Sequence, residues 1–233
     1  MNYGEDLAWV HHAGFSEFAR SAAPGIIAIL RRHGIERGLI VDAGCGSGVV
    51  SRALTEAGYE VFGFDFAPAM IRLAREVAPK ARFAVASFVS VELPPCRALL
   101  AVGEILMYLS DPANTVDALR AFFARVHAAL APGGVLLFDV GRDGAYPPKG
   151  SSHTVGDGWE VYVEKWMAGN ILHRRVITYR EGRRSEELHK ARLYTREEMT
   201  GALREAGFSV RVRRSYGTRR LPPTHDVYLA TKA

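Results

Sequence analysis

Leu39-Ile40-Val41-Asp42-Ala43-Gly44-Cys45-Gly46-Ser47-Gly48 decides how the rest of this chain is read. A short apolar run ends on an acidic residue, and three glycines then alternate with small residues. Val50, Ala53, Leu54 and Ala57 follow at i, i+3, i+4 and i+7, and Gly58 stands where a helix would end. The pattern is strand, tight turn, helix. Glycines let such a turn reach unusual dihedrals and let a ligand approach bare backbone. The amides opening the next helix suit a negatively charged or carboxylate-bearing ligand. A dinucleotide fingerprint would place its third glycine where Val49 stands, and the Gly-Lys-Ser/Thr of a phosphate loop is absent.

Tyr59 to Phe64 reads as a second apolar strand, with Asp65 at its end and a helix opened by Pro68. In open α/β sheets ligands sit beyond the carboxyl ends of strands, where an acidic residue one strand over binds ribose hydroxyls. Asp42-x-Gly44-x-Gly46-x-Gly48 together with Asp65 resembles the first motif of the class I S-adenosylmethionine-dependent methyltransferases, small-molecule type. The resemblance covers roughly Leu39 to Val140 and Thr195 to the end. It implies S-adenosylmethionine as cofactor and no metal. It also implies a cofactor site of Asp42, Gly44, Cys45, Gly46, Gly48, Asp65, Phe66, Met70, Ser87, Phe88 and Glu104, with Asp65 taking both ribose hydroxyls.

The chain has 233 residues, 48% hydrophobic and 24% charged, enough for one α/β domain with an insertion. No run of eighteen apolar residues is present, so no transmembrane helix is expected. The opening residues lack the basic and apolar regions of a signal peptide, and a cytoplasmic location is expected. Two cysteines, Cys45 and Cys96, make neither a disulfide framework nor a metal site. The net charge of +5 suits an anionic substrate or weak nucleic-acid contact without demanding either.

The expected fold is a seven-stranded, mostly parallel sheet with helices on both faces. A helical arm (1–38) precedes it, and an antiparallel insertion (141–194) follows its fifth strand. The core is then 39–140 and 195–233. In the arm, Leu7, Val10 and Gly14 mark one helix and Pro24 to His33 a second. By family resemblance the arm closes over cofactor and substrate, and its aromatics Tyr3, Trp9, Phe15 and Phe18 are candidates for contact. Adjacent His11 and His12 diverge on a helix and cannot share a ligand. Further strands are expected at Arg82–Ala86, Ala98–Val102 and Val135–Val140, the last after the turn Ala131-Pro132-Gly133-Gly134. A long helix is expected to open at Asp111-Pro112, with Val116, Leu119, Phe123, Val126 and Leu130 on its buried side. Within the insertion, Gly141 to Gly158 reads as loop. Strands then follow at Trp159–Met167, Ile171–Arg180 and Glu186–Tyr194, forming a cover over substrate or a surface for dimer contacts. Thr195-Arg196-Glu197-Glu198 is a capping box, and Phe208–Val212 and Val227–Ala230 close the sheet.

Methyl transfer from a sulfonium is a direct displacement in which proximity dominates, and a base helps when the nucleophile is a hydroxyl or a protonated amine. Glu104, after the fourth strand, is a candidate for holding the cofactor's amino group, for orienting a substrate amine, or for acting as base. His153 is the second catalytic candidate, with His173 beside it. Arg213, Arg214, Arg219 and Arg220 could recognise a carboxylate or phosphate. Nothing resembling Asn/Asp-Pro-Pro-Tyr follows the fourth strand, and Pro95-Cys96 precedes it, so nucleic-acid methylation is disfavoured. The expected activity is methyl transfer to an amine or hydroxyl of a small molecule. An RNA or protein methyltransferase and a non-catalytic S-adenosylmethionine-binding regulator are the alternatives. A homodimer is compatible with these features, and no membrane partner is expected.

Overall fold

Apolar runs and glycine-ended helices alternate from Leu39 onward, and in the computed structural model, which describes residues 3–233, they become a wound α/β layer. β1 (Leu39–Ala43), α3 (Val49–Glu56), β2 (Glu60–Asp65), α4 (Pro68–Val77), β3 (Arg82–Val85) and β4 (Cys96–Ala101) follow the arm helices α1 (Glu5–Phe15) and α2 (Glu17–Arg32). α5 (Val116–Ala129) and β5 (Leu130–Gly141) lead into four strands, β6 (Lys149–Gly156), β7 (Trp159–Ala168), β8 (Ile171–Arg180) and β9 (Arg183–Arg192). α6 (Arg196–Glu205), β10 (Ser209–Arg213), a short hairpin β11 (Ser215–Tyr216) and β12 (Arg219–Arg220), and β13 (His225–Thr231) complete the order.

The main sheet has seven strands in the order β10-β13-β5-β4-β1-β2-β3. β13 runs antiparallel to both its neighbours, and the other pairings are parallel. Strand residues alternate between faces. Ile40, Val61, Leu100 and Leu137 meet Ile26, Ile29 and Leu54 of α2 and α3 on one side. Val41, Leu99, Leu136 and Phe138 meet Phe122, Phe123 and Val126 of α5 and Leu203 of α6 on the other. Each large side chain fully buried in this way contributes roughly 1.5–3 kcal/mol. Phe138 also stacks on its register partner Tyr228, centroids 5.1 Å apart.

β6–β9 form a separate antiparallel sheet, β6-β7-β8-β9. Its inner face packs Trp159, Val161 and Val176 onto Leu7 and Val10 of α1, while Leu172 and Ala191 join the main core.

Four expectations need correction. Residues 149–156 form β6, not loop. This edge strand is mostly exposed, held by its backbone pairing to β7, and carries no apolar alternation that would announce it. The helix expected at Asp111-Pro112 starts at Val116, where Thr115 Oγ1 accepts the N–H of Ala118. Asp111 instead opens a turn, accepting the N–H of Ala113 at 2.8 Å. Val116 is therefore exposed, and Leu130 belongs to β5. Pro24 lies inside α2, which begins at Glu17; Ser16 before it has helical dihedrals and donates its hydroxyl to His12 O. The β11–β12 hairpin was not expected. The capping box is present as expected, with both Thr195 and Glu198 bonds formed.

Candidate active site

At the carboxyl edge of the sheet a cavity of about 400 Å³ opens beside the glycine loop. That volume lies within the range of sites for small ligands and cofactors. Asp42, Gly44, Cys45, Gly46, Asp65, Phe66, Met70, Ser87 and Phe88 line it at one end. Tyr3, His11, Phe15 and Phe18 of the arm and Ile105, Tyr108 and Asp111 of the segment after β4 also line it.

The loop owes its shape to its glycines. Gly44, Gly46 and Gly48 all have positive φ, at 62°, 53° and 80°. A Cβ on Gly44 would stand 2.6 Å from Ile105 Cδ1, whereas one on Gly46 would meet nothing within 4 Å. Bare backbone thus faces open space at Gly46, as a cofactor lying across the loop requires.

Asp65 holds this loop as well as facing the cavity. Its carboxylate accepts the N–H of Gly46 at 3.0 Å and of Ala67 at 2.8 Å. Burial pushes its carboxyl up, while the amides of Ala67, Gly46 and Phe66 pull it back. Asp42 is 2% exposed and accepts from Ser51 Oγ at 2.6 Å. Burial pushes Asp42 up to about 7, opposed by the Ser51 hydrogen bond and reinforced by the charge of Asp65. Donor amides, glycine backbone and a carboxylate facing the void form a donor set that fits a ribose and an amino-acid moiety.

Glu104 sits where β4 ends, but its backbone is left-handed, with φ 66°. Its N–H and that of Gly103 donate to Asp139 at 3.1 and 2.7 Å, and Tyr216 Oη donates to Asp139 at 2.6 Å. This turn carries the Glu104 carboxylate away from the cavity lining and into a cage. Arg174 Nη1 lies 2.6 Å away, His225 Nε2 2.5 Å, and Tyr146 Oη donates at 3.1 Å. Burial alone would raise Glu104, but Arg174 and His225 hold it well below the usual carboxylate range. A carboxylate so paired cannot serve as a general base near neutral pH.

His153 lies off the cavity altogether. It is exposed on β6, stacks on Tyr162 at 3.9 Å and pairs with Glu160 at 3.1 Å. His173 stacks on Trp166 outside the cavity, and Gly48 opens α3 against Ala74 without lining it. Arg214 approaches the buried Asp226, which Arg196 holds with two hydrogen bonds, and Arg219 lies over the Phe18 ring.

Residues 141–194 contribute no side chain to the cavity lining. They act on it from behind. Glu187 accepts the N–H of Tyr3 at 2.6 Å and of Gly4 at 2.9 Å. Arg174 donates to Tyr108 Oη at 2.9 Å, and Asp6 is held by Arg180 and Arg183. Sequence reasoning missed Tyr108, Arg174, His225 and Tyr146, and it set His11 aside. Only the position of Tyr108 soon after β4 could have signalled it.

Among the described residues no group of histidine, cysteine or carboxylate side chains could hold a metal ion, and no helix is long and apolar enough to cross a membrane.

Residues 40–134 match the family model described as a methyltransferase domain. Malonyl-[acyl-carrier protein] O-methyltransferase of Serratia marcescens is 30% identical over 122 residues, which are 52% of this chain and 43% of that one. The chain thus spans less than half the length of that relative. The S-adenosylmethionine-bound amino pentose methyltransferase CalS10 of Micromonospora echinaspora superposes with a TM-score of 0.79 at 22% identity, over 100% and 99% of the two chains. The sugar N-methyltransferase KedS8 of Streptoalloteichus gives 0.80 at 17% identity, over 100% and 94%. Residues 40–134 thus resemble a methyltransferase domain, and the strand order and the likeness over the whole chain give it the fold seen in S-adenosylmethionine-dependent methyltransferases.

Proposed function

We propose that this chain methylates an amine or hydroxyl of a small molecule by in-line displacement. The observation that carries the reading is the reach of the cavity beside the glycine loop. Asp65, Ser87 and Phe88 line the same cavity as Tyr3, His11 and Tyr108. Asp42, Asp65 and the loop amides would hold the cofactor at the first end, leaving the second for an acceptor of modest size. When bound, S-adenosylmethionine would supply a sulfonium methyl: the acceptor's lone pair would bond to the methyl carbon as the carbon–sulfur pair leaves with the thioether sulfur, and the acceptor would lose a proton to water.

The residues of this chain have a simpler task. They bring acceptor and methyl donor together and keep water out, which is where most of the rate of such a displacement arises. The inserted sheet, taken as a cover region over 141–194, does so at second hand. Through Glu187 it pins the start of the arm, and through Arg174 it fixes Tyr108. The likeness in fold to amino-sugar methyltransferases extends over the whole chain, cover included, and supports an acceptor of comparable size.

Incubation with methyl-labelled S-adenosylmethionine and fractionated cell extract tests the reading. Label should enter the low-mass fraction. Label confined to RNA or protein, or no transfer despite cofactor binding, overturns it.

A further inference from the structure

We infer that His11 acts at the acceptor end of the cavity as a hydrogen-bond donor that holds an oxygen of the methyl acceptor. This assignment rests on the small-molecule methyltransferase reading above. His11 lies on α1 and lines the cavity with Tyr3 and Tyr108. Its neighbour His12 turns away, its Nδ1 2.9 Å from Ser47 Oγ, so the two rings serve different surroundings.

The decisive observation is that His11 Nδ1 is sealed inside protein and meets no hydrogen-bond partner. A neutral imidazole carries one N–H and places it on one of two nitrogens. On Nδ1 the proton would be a buried donor with no acceptor, an arrangement that folded proteins seldom tolerate. On Nε2 it leaves only a lone pair unused inside, and the N–H goes to the ring's other edge. Since the residue lines the cavity, that edge is the one available to a ligand.

The same geometry argues against a base. Accepting a proton would use the free lone pair, which belongs to Nδ1 and faces protein. The imidazolium would also strand an N–H there. In keeping with this, burial lowers His11 to about 4, helped by the nearby His12 and His189.

The groups around the ring fix its setting. Tyr3 meets it edge-on, centroids 5.4 Å apart, and itself packs on His189 at 5.1 Å. His189 pairs with Glu187 at 2.9 Å, which also anchors the backbone of Tyr3. Tyr108 Oη accepts from Arg174, and burial pushes the phenols of both Tyr3 and Tyr108 up, so both remain protonated. This wall presents uncharged hydroxyl and N–H groups at Tyr3, His11 and Tyr108, beside the Asp111 carboxylate that also lines the cavity. It suits an acceptor bearing a hydroxyl, ether or carbonyl oxygen near the methylated atom, such as a hydroxylated ring amine, in preference to a bare alkylamine.

Two measurements test the assignment. In the full chain with 15N-labelled histidine and saturating S-adenosylhomocysteine, long-range 1H–15N spectra read the tautomer directly, with His11→Gln supplying the assignment. His11 should stay neutral with its proton on Nε2 from about pH 8 to pH 5.5. A proton on Nδ1, or an ordinary titration near pH 6.5, overturns the proposal. With the low-mass acceptor recovered from the labelled-methyl assay, His11→Phe should lower kcat/KM at least tenfold. His11→Gln, which keeps a donor at the ε position, should stay within about threefold. Affinity for S-adenosylhomocysteine should be unchanged in both. Equal losses in the two variants overturn the donor role. Absence of any methylated product, with the tautomer found as stated, counts against the methyltransferase reading and leaves the protonation assignment standing.

Discussion

Replacing Asp65 by asparagine asks whether that side chain holds a ligand or only its own loop. Asparagine keeps the size and one acceptor oxygen, but its NH₂ group must then face the N–H of Gly46 or Ala67, now bonded at 3.0 and 2.8 Å. A hydrogen bond to a charged group contributes roughly 1.5–3 kcal/mol, and an unpaired buried donor costs about as much. Asparagine also escapes the desolvation that now pushes the Asp65 carboxyl up, which returns part of the loss. A net destabilisation of about 1–2 kcal/mol follows, or about 2–8 °C in the thermal midpoint for a chain of this size. Cofactor affinity should fall further, by at least about tenfold, since a paired ribose contact loses its charged acceptor. Calorimetric titration with S-adenosylhomocysteine and a thermal scan without it measure the two effects separately. A lowered midpoint with affinity held within about twofold refutes the reasoning, and Asp65 is then a loop clamp alone.

Gly44→Ala should cut cofactor binding by about tenfold or more, because the new Cβ is driven against Ile105 at a residue with φ 62°; near-normal binding would show that the loop can relax. Asp42 gives a dependence on pH with a definite sign. Its folded value is raised to about 7 from 3.8, so its contribution favours the fold fully below about pH 4 and is lost as pH rises through 7. His11, lowered to about 4, acts in the opposite direction over much of the same window. The readout is therefore the difference between the unmodified chain and Asp42→Asn, which should shrink from pH 4 to pH 7 in the direction of the variant. A constant difference in thermal midpoint across that range would place the charge of Asp42 elsewhere.

The glycine-loop part of the cavity was legible because its parts are adjacent in the chain and each has a local chemical signature. Gly44, Gly46 and Asp65 declare themselves by residue type and spacing, and all three line the cavity. The region after β4 was not, because its contacts are made by topology. Glu104 meets Arg174 and His225 at sequence separations of 70 and 121 residues. Its position after β4 was read correctly, yet a single left-handed residue turned its carboxylate toward those partners. His153 failed for a related reason. It sits on an exposed edge strand none of whose residues lines the cavity, and the strand itself was hidden by glycine and serine. His11 was set aside because adjacent histidines cannot share a ligand, which is true. Each has a separate environment instead, the cavity for one and Ser47 for the other.

The hydrogen bond from Tyr216 to Asp139 also bears on synthesis of the chain on the ribosome. Asp139 orders the amides of Gly103 and Glu104, and it is itself met by a side chain from the β11–β12 hairpin. His225 then closes the cage on Glu104. Chains emerge from the N-terminal side at roughly 5–20 residues per second. The glycine loop is therefore made roughly 9–35 s before the turn beside it can be braced. Once β4 has followed, β1 to β4 can pair while the turn after β4 still waits for residues more than a hundred positions downstream.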